Sequence, residues 1–271
     1  MELSYQLLWH RVTVADAGGE VIEALRASVA TAQQEVSPSR AQRYDASFDG
    51  DRYSVAEEGD AFVVAATPEL AADAIAGRSR RRALELAALK GWVQVRAGMV
   101  DVAGKRILLV GPPGAGRTVL LLRLAQRGGA LQGDESVLLR AGLALAVPAP
   151  VLVGEPIDPA PSKLVELAPR LPRVGDRAAL DPARDLVSAW RLSAAPLDHI
   201  VVLDARPGRP GCLPSTPGEA LSELAAASDA GAVSKAALLQ ELTAAVVAAA
   251  CYRLRAGEMD AMEDALVAIA C

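Results

Sequence analysis

Residues 105–118 constrain the fold of this chain more than any other segment. Ile107 to Val110 make an apolar strand run, Gly111-Pro112-Pro113-Gly114-Ala115-Gly116 a glycine-rich turn, and Thr118 opens a helix. That helix, predicted over Thr118–Arg127, is apolar nearly all round through Val119, Leu120, Leu121, Leu122 and Leu124. Such a helix packs against a sheet rather than lying on a surface. A buried strand, a tight turn and a buried helix in direct succession require an α/β layer architecture.

The turn also carries chemistry. Glycines at 111, 114 and 116 let successive backbone N–H groups point inward, where they can cradle phosphate oxygens. The following helix adds its free amides and the positive end of its dipole to the same anion. Gly111, Gly114, Ala115, Gly116, Arg117 and Thr118 are therefore the candidate contacts to a nucleotide's phosphates, and the Thr118 hydroxyl can join the shell of a Mg2+ ion. The competing reading is an ordinary Gly/Pro turn. One position departs from the G-x-x-x-x-G-K-[ST] pattern, because Arg117 stands where the lysine belongs. Arginine keeps the charge but is bulkier and fork-shaped. Two explanations stay open: slowed phosphoryl transfer with binding retained, or drift in a chain that has only Lys90, Lys105, Lys163 and Lys235 among its 28 basic residues.

Composition excludes several classes. Hydrophobic residues make up 52% of the 271, enough for a sizeable core, while aromatics at 3% offer little for base stacking. A net charge of −5 argues against a nucleic-acid or anionic-membrane binder. The opening residues lack the layout of a signal peptide, and the run Ala244–Cys251 is too short to span a bilayer. Cys212, Cys251 and Cys271 are widely spaced thiols suited to a reducing compartment. The expectation is a cytoplasmic protein with no nucleic-acid or membrane partner. His199, at the mouth of an apolar strand, reads as structural.

Two units are expected, 1–90 and 91–271. In the first, Leu7–Val14 reads as a strand, Glu20–Gln34 as a helix, and Arg43–Phe48, Arg52–Ala56 and Ala61–Ala65 as an antiparallel meander. Thr67 caps and Pro68 begins a helix reaching about Lys90, with a break expected at Gly77 and a solvated basic face at Arg78–Arg82. In the second, Val93–Val102 and Arg106–Val110 read as strands, and Ala130–Gln132 with Ser136–Arg140 as a strand pair. Loops are expected over Val147–Pro172 and Arg206–Pro217, a strand over His199–Asp204, helices near Gly218–Ala227 and Ser234–Ala249, a strand at Tyr252–Arg255 and a last helix from Glu258.

Downstream of Thr118 lies Gly133-Asp134-Glu135-Ser136, an acidic pair of the kind a phosphate loop needs. One carboxylate can help hold Mg2+ and the other can accept the proton of an attacking hydroxyl. With Val95-Arg96-Ala97-Gly98-Met99-Val100, Val110–Thr118 and Arg127-Gly128, this constellation resembles the HPr serine kinase/phosphorylase family and its related proteins. The likeness is specific over residues 92–140. It implies a phosphoenolpyruvate-carboxykinase/HPr-kinase-like P-loop core, α/β in class, with a small α+β N-terminal domain. It further implies ATP or GTP and Mg2+ as cofactors, a peptide or small carrier protein as serine-bearing substrate, and self-association into a homo-oligomer.

Position by position, the resemblance makes Asp134 the base and places Thr118 and Glu135 at the metal. Arg117 falls at the loop lysine, and Arg96 at a histidine that supports the aspartate. Arg96 beside Asp134 is expected to lower that aspartate's pKa. With Arg96, Arg117 and Glu135 all departing from the family's residues, a serine kinase and a catalytically silent nucleotide-binding scaffold in a peptide-modification pathway are both carried forward. Arg170, Arg173, Arg177, Arg184 and Arg191 lie in an irregular stretch that could close over phosphates, but are read first as surface arginines.

Overall fold

The computed structural model describes residues 1–30, 32–154, 166–186, 190–207, 211–229 and 233–271. The N-terminal part is a five-stranded sheet in the order Glu2–Leu7, His10–Asp16, Arg40–Phe48, Tyr53–Glu57, Asp60–Ala65. The second and third strands run parallel and the other neighbours antiparallel. Helices Glu20–Ser28 and Pro68–Leu89 bury Val21, Ile22, Leu25, Ala71, Ala72 and Ile75 with Val12, Val14, Tyr44 and Val55 of the sheet. The expected strand Leu7–Val14 is instead a hairpin, turning at Leu8 with φ 57°. The expected helix to Gln34 stops at Ser28, and Gln33–Gln34 pairs in parallel with Arg191–Leu192.

Asp16 starts the first helix from outside it. Gly19, at the N-cap, has no side chain to offer. The buried Asp16 carboxylate accepts hydrogen bonds from the N–H of Val21 at 2.9 Å and of Gly18 at 3.1 Å. Asp16→Ala should therefore cost about 1–2 kcal/mol, the usual range for a lost cap. Urea denaturation checks this, and a loss below about 0.5 kcal/mol would remove Asp16 from that role.

The remainder is built on two sheets. The first has the order Ala130–Gly133, Gly98–Val102, Lys105–Val110, His199–Pro207, Ala250–Ala256, Gly211–Pro214. Its three central strands, 105–110, 199–207 and 250–256, are parallel. The second has the order Ala195–Pro196, Leu143–Ala146, Val137–Arg140, Val93–Val95, Ser228–Asp229. A small third sheet holds Val151–Val153, Arg177–Leu180 and Arg173–Val174. The helix Arg117–Gln126 packs Leu120, Leu121, Leu122 and Leu124 against Val100, Ile107, Leu109 and Leu131 of the first sheet. Its Arg123 pairs with buried Glu263 of the closing helix Met259–Ala270 at 2.8 Å.

Several sequence expectations are corrected here. Val93–Val102 is not one strand: it divides at Arg96-Ala97, with 93–95 in the second sheet and 98–102 in the first. Ala130–Gly133 and Val137–Arg140 do not pair with each other either, and belong to different sheets for the same reason. The two crossings lie side by side, because Gly133 opposes Met99 and Val137 opposes Val95. Strand Val151–Val153 interrupts the expected Val147–Pro172 loop, of which residues 155–165 lie outside the described residues. Strand Gly211–Pro214 likewise falls within the expected Arg206–Pro217 loop. The helix from Pro68 runs through Gly77 without a break. Among the described residues, no helix is long and apolar enough to cross a membrane.

Candidate functional site

The site forms where the glycine turn meets the two sheet crossings. Lys105–Val110 delivers the chain to Gly111, which lies so close to the neighbouring parallel strand that a Cβ there would fall 2.8 Å from Leu203 Cβ. Gly116 is the N-cap of the Arg117–Gln126 helix, in the left-handed region at φ 84°, where a side chain would be strained. Among the described residues, the N–H groups of Gly114, Gly116, Arg117 and Thr118 donate to no protein acceptor, whereas Ala115 N–H closes a turn onto Pro112 O at 3.2 Å. A row of free amides at a helix N-terminus is the cradle that phosphate oxygens require.

Both residues that open the helix reach one carboxylate. Thr118 Oγ1 donates to Asp134 Oδ2 at 2.6 Å, and Arg117 Nε lies 3.3 Å from Asp134 Oδ1. Gly98 makes room for this: a Cβ there would fall 3.2 Å from Arg117 Cγ and Cδ and 2.4 Å from Leu121 Cδ1. The Asp134 side chain is only 9% exposed. Burial raises its pKa above the usual carboxylate value, and the Thr118 hydrogen bond and the Arg117 charge only partly oppose this. That corrects the sequence expectation in sign and in partner. Arg96 lines the same cleft but makes no hydrogen bond or ion pair to Asp134, and the cation beside Asp134 is Arg117.

The neighbouring carboxylate is engaged from outside the core. Glu135 Oε2 lies 3.1 Å from the guanidinium of Arg80, on the Pro68–Leu89 helix. The expected solvated face at 78–82 is thereby corrected. Arg78 and Arg82, one helical turn apart, both turn toward Glu57, while Arg80 projects the opposite way to Glu135. Ser136, the third residue of the crossing, accepts from Gln94 Nε2 at 2.5 Å and so ties the two crossings together.

Arg80, Gln94, Arg117, Thr118, Asp134 and Glu135 line one cleft of about 1240 Å3, which also receives Arg177, Asp204 and Arg253. Arg253 pairs with Asp204 and Glu219 at 3.5 Å each. Of the five arginines between 170 and 191, only Arg177 reaches the cleft. Sequence reading did not assign Arg80, Asp204 or Arg253 to the site and favoured a surface role for Arg177, because only the assembled fold brings them together. His199 rests edge-on against Tyr252 at 5.6 Å, away from the cleft lining.

Among the described residues no cluster of three or more His, Cys, Asp or Glu forms a metal cage. Mg2+ does not ask for one, since it is normally held by one or two carboxylates with waters and phosphate oxygens. Thr118, Asp134 and Glu135 supply hard oxygen donors of that kind beside the amide cradle, so the residues fit a magnesium–nucleotide pair.

No protein-family profile matches the sequence, and no curated protein matches it. Among solved structures, the chain is similar to the Hpr(Ser) kinase/phosphatase from Coxiella burnetii, with 10% sequence identity and a TM-score of 0.38. That match covers 65% of this chain and 93% of that chain. At this level it is a distant likeness of fold.

Proposed function

We propose that this chain is an ATP- or GTP-dependent kinase that phosphorylates a serine hydroxyl on a peptide or small carrier protein, built on a P-loop core of the HPr-kinase type. The observation that carries the reading is the convergence of Arg117 and Thr118 on Asp134, directly beside the N–H groups of Gly114, Gly116, Arg117 and Thr118, which among the described residues donate to no protein acceptor. In this reading residues 91–271 form the nucleotide-binding unit and 1–90 the small companion.

Each residue then has a task. The amides of Gly114, Gly116, Arg117 and Thr118 and the Arg117 guanidinium take the phosphates, with Arg117 leaving Asp134 as the stronger anion arrives. Thr118 Oγ1 and Glu135 would hold Mg2+, which when bound neutralises charge on the phosphates. Turning the Thr118 hydroxyl away frees Asp134 Oδ2. Asp134 receives the proton of the acceptor serine hydroxyl as its oxygen bonds to the terminal phosphorus and the nucleoside diphosphate departs. A carboxylate whose burial raises its pKa holds that proton better than an ordinary aspartate does.

One feature favours the second reading, a nucleotide-binding scaffold without turnover. Both carboxylates of the acidic pair are tied to arginines, Asp134 to Arg117 and Glu135 to Arg80. Calorimetry with Mg-ATP and Mg-GTP tests the shared premise. The parent protein should bind, and Arg117→Ala should weaken binding about 10–100-fold, the effect of losing charged hydrogen bonds. Failure of the parent protein to bind either nucleotide would refute both readings of the loop. Transfer of labelled phosphate to a serine peptide then separates kinase from scaffold.

A further inference from the structure

We infer that a small apolar pocket beside the cleft receives a side chain next to the acceptor serine, so that the substrate is a peptide whose serine is flanked by a leucine- or phenylalanine-sized apolar residue. This rests on the kinase reading above and names its substrate class. The pocket, of about 230 Å3, lies between the Pro68–Leu89 helix and the core. Leu7, Val29, Ala76, Gly77, Pro150 and Leu152 are among the residues that line it. Its volume lies below the roughly 300 Å3 at which pockets for free small molecules usually begin, which suits a single side chain.

Position assigns the occupant. The pocket and the cleft share Arg80, Glu135, Pro150 and Leu152, so the pocket opens into the cleft at the Arg80–Glu135 pair. Asp134 precedes Glu135 in the chain. An extended peptide advances about 3.3 Å per residue, so a serine held at Asp134 puts a flanking residue at the pocket mouth. The Arg80 guanidinium offers a donor to that peptide's main chain.

Gly77 is the second observation. Glycine in a helix interior is unfavourable relative to alanine, and nothing in the packing requires it: a Cβ at 77 would meet no atom within 4 Å. The backbone there is ordinary helix. The missing side chain leaves the pocket wall open, which folding alone does not explain.

The test uses fluorescein-labelled heptapeptides Gly-Gly-X-Ser-X-Gly-Gly, with X as Leu, Phe, Gly or Asp, titrated against the full chain by anisotropy. The Leu and Phe peptides should bind about tenfold tighter than the Gly peptide, the effect of burying one such side chain, and the Asp peptide weakest. Gly77→Leu fills the pocket, and should bring the Leu and Phe peptides to within about twofold of the Gly peptide while leaving the Tm at or above the parent value. Equal binding of all four peptides, binding of none, or a preference that survives Gly77→Leu would overturn the pocket. A parallel Mg-ATP titration keeps the two ideas apart. A peptide preference without nucleotide binding refutes the kinase alone, and nucleotide binding without a peptide preference refutes the pocket alone.

Discussion

Arg106→Ala should destabilise the protein by about 3–5 kcal/mol, the range for breaking a buried ion pair from one side. The Arg106 side chain is 6% exposed, and its guanidinium meets Asp101 through two hydrogen bonds of 2.9 Å each. Its Nη1 donates to Ser193 O at 2.8 Å and Ala144 O at 3.3 Å. One side chain thus joins the central strand Lys105–Val110 of the first sheet to the Leu143–Ala146 strand of the second. Removing it leaves the Asp101 carboxylate without its cation and takes one donor from each of two carbonyls. Arg106→Lys should recover only part of the loss, because an ammonium cannot reproduce the fork. Urea denaturation of both variants measures this, and a loss below about 1 kcal/mol for Arg106→Ala would show the staple to be unimportant.

Asp134→Asn should lower phosphoryl transfer by about 100–10,000-fold, the usual contribution of a positioned base, while the Kd for Mg-ATP changes by less than about threefold, well under the effect of one charged hydrogen bond. The pH dependence carries a sign. A base must be deprotonated, and burial raises the Asp134 pKa, so the acid limb of the parent's rate profile should lie above the ordinary aspartate value of 3.8. A carboxyl with a raised folded-state pKa favours the fold most at pH below its unfolded value, and that contribution is lost as pH rises through the folded value. At pH 8 the parent therefore carries a desolvated charge that Asn lacks, and the variant's Tm should be at or above the parent's. Unchanged transfer in Asp134→Asn would remove Asp134 from the base role. A sharply lower Tm would mean that the Arg117 pair outweighs the desolvation of the carboxylate.

Local patterns were read from the sequence where one element carries its own signal. The helix after Gly116 appeared within one residue of its start, since an apolar run after a glycine turn has no other stable use. Thr67 and Pro68 marked their helix for the same reason, a cap and a residue suited to the first turn. The expected strands 93–102 and the expected 130–140 pair failed together. Apolar residues continue on both sides of Arg96 and of Asp134, so nothing in the local pattern says that the chain changes sheets there. Gly77 misled in the opposite sense: one glycine weakens a helix without ending it when both flanking turns are packed.

By itself the sequence determined the chemical inventory of the site: a glycine turn, a basic residue, a hydroxyl and two carboxylates in fixed order. These are local properties of backbone and side-chain type, and they survive any arrangement of the rest. Only the tertiary structure decided how the charges are shared. It set Arg117 rather than Arg96 against Asp134, brought Arg80 across to Glu135 from a helix far away in the chain, and buried Asp134 enough to reverse the expected direction of its pKa. Burial and charge pairing depend on distances across sheets and between helices, set by the packing of apolar side chains from remote segments. No spacing along the chain encodes them.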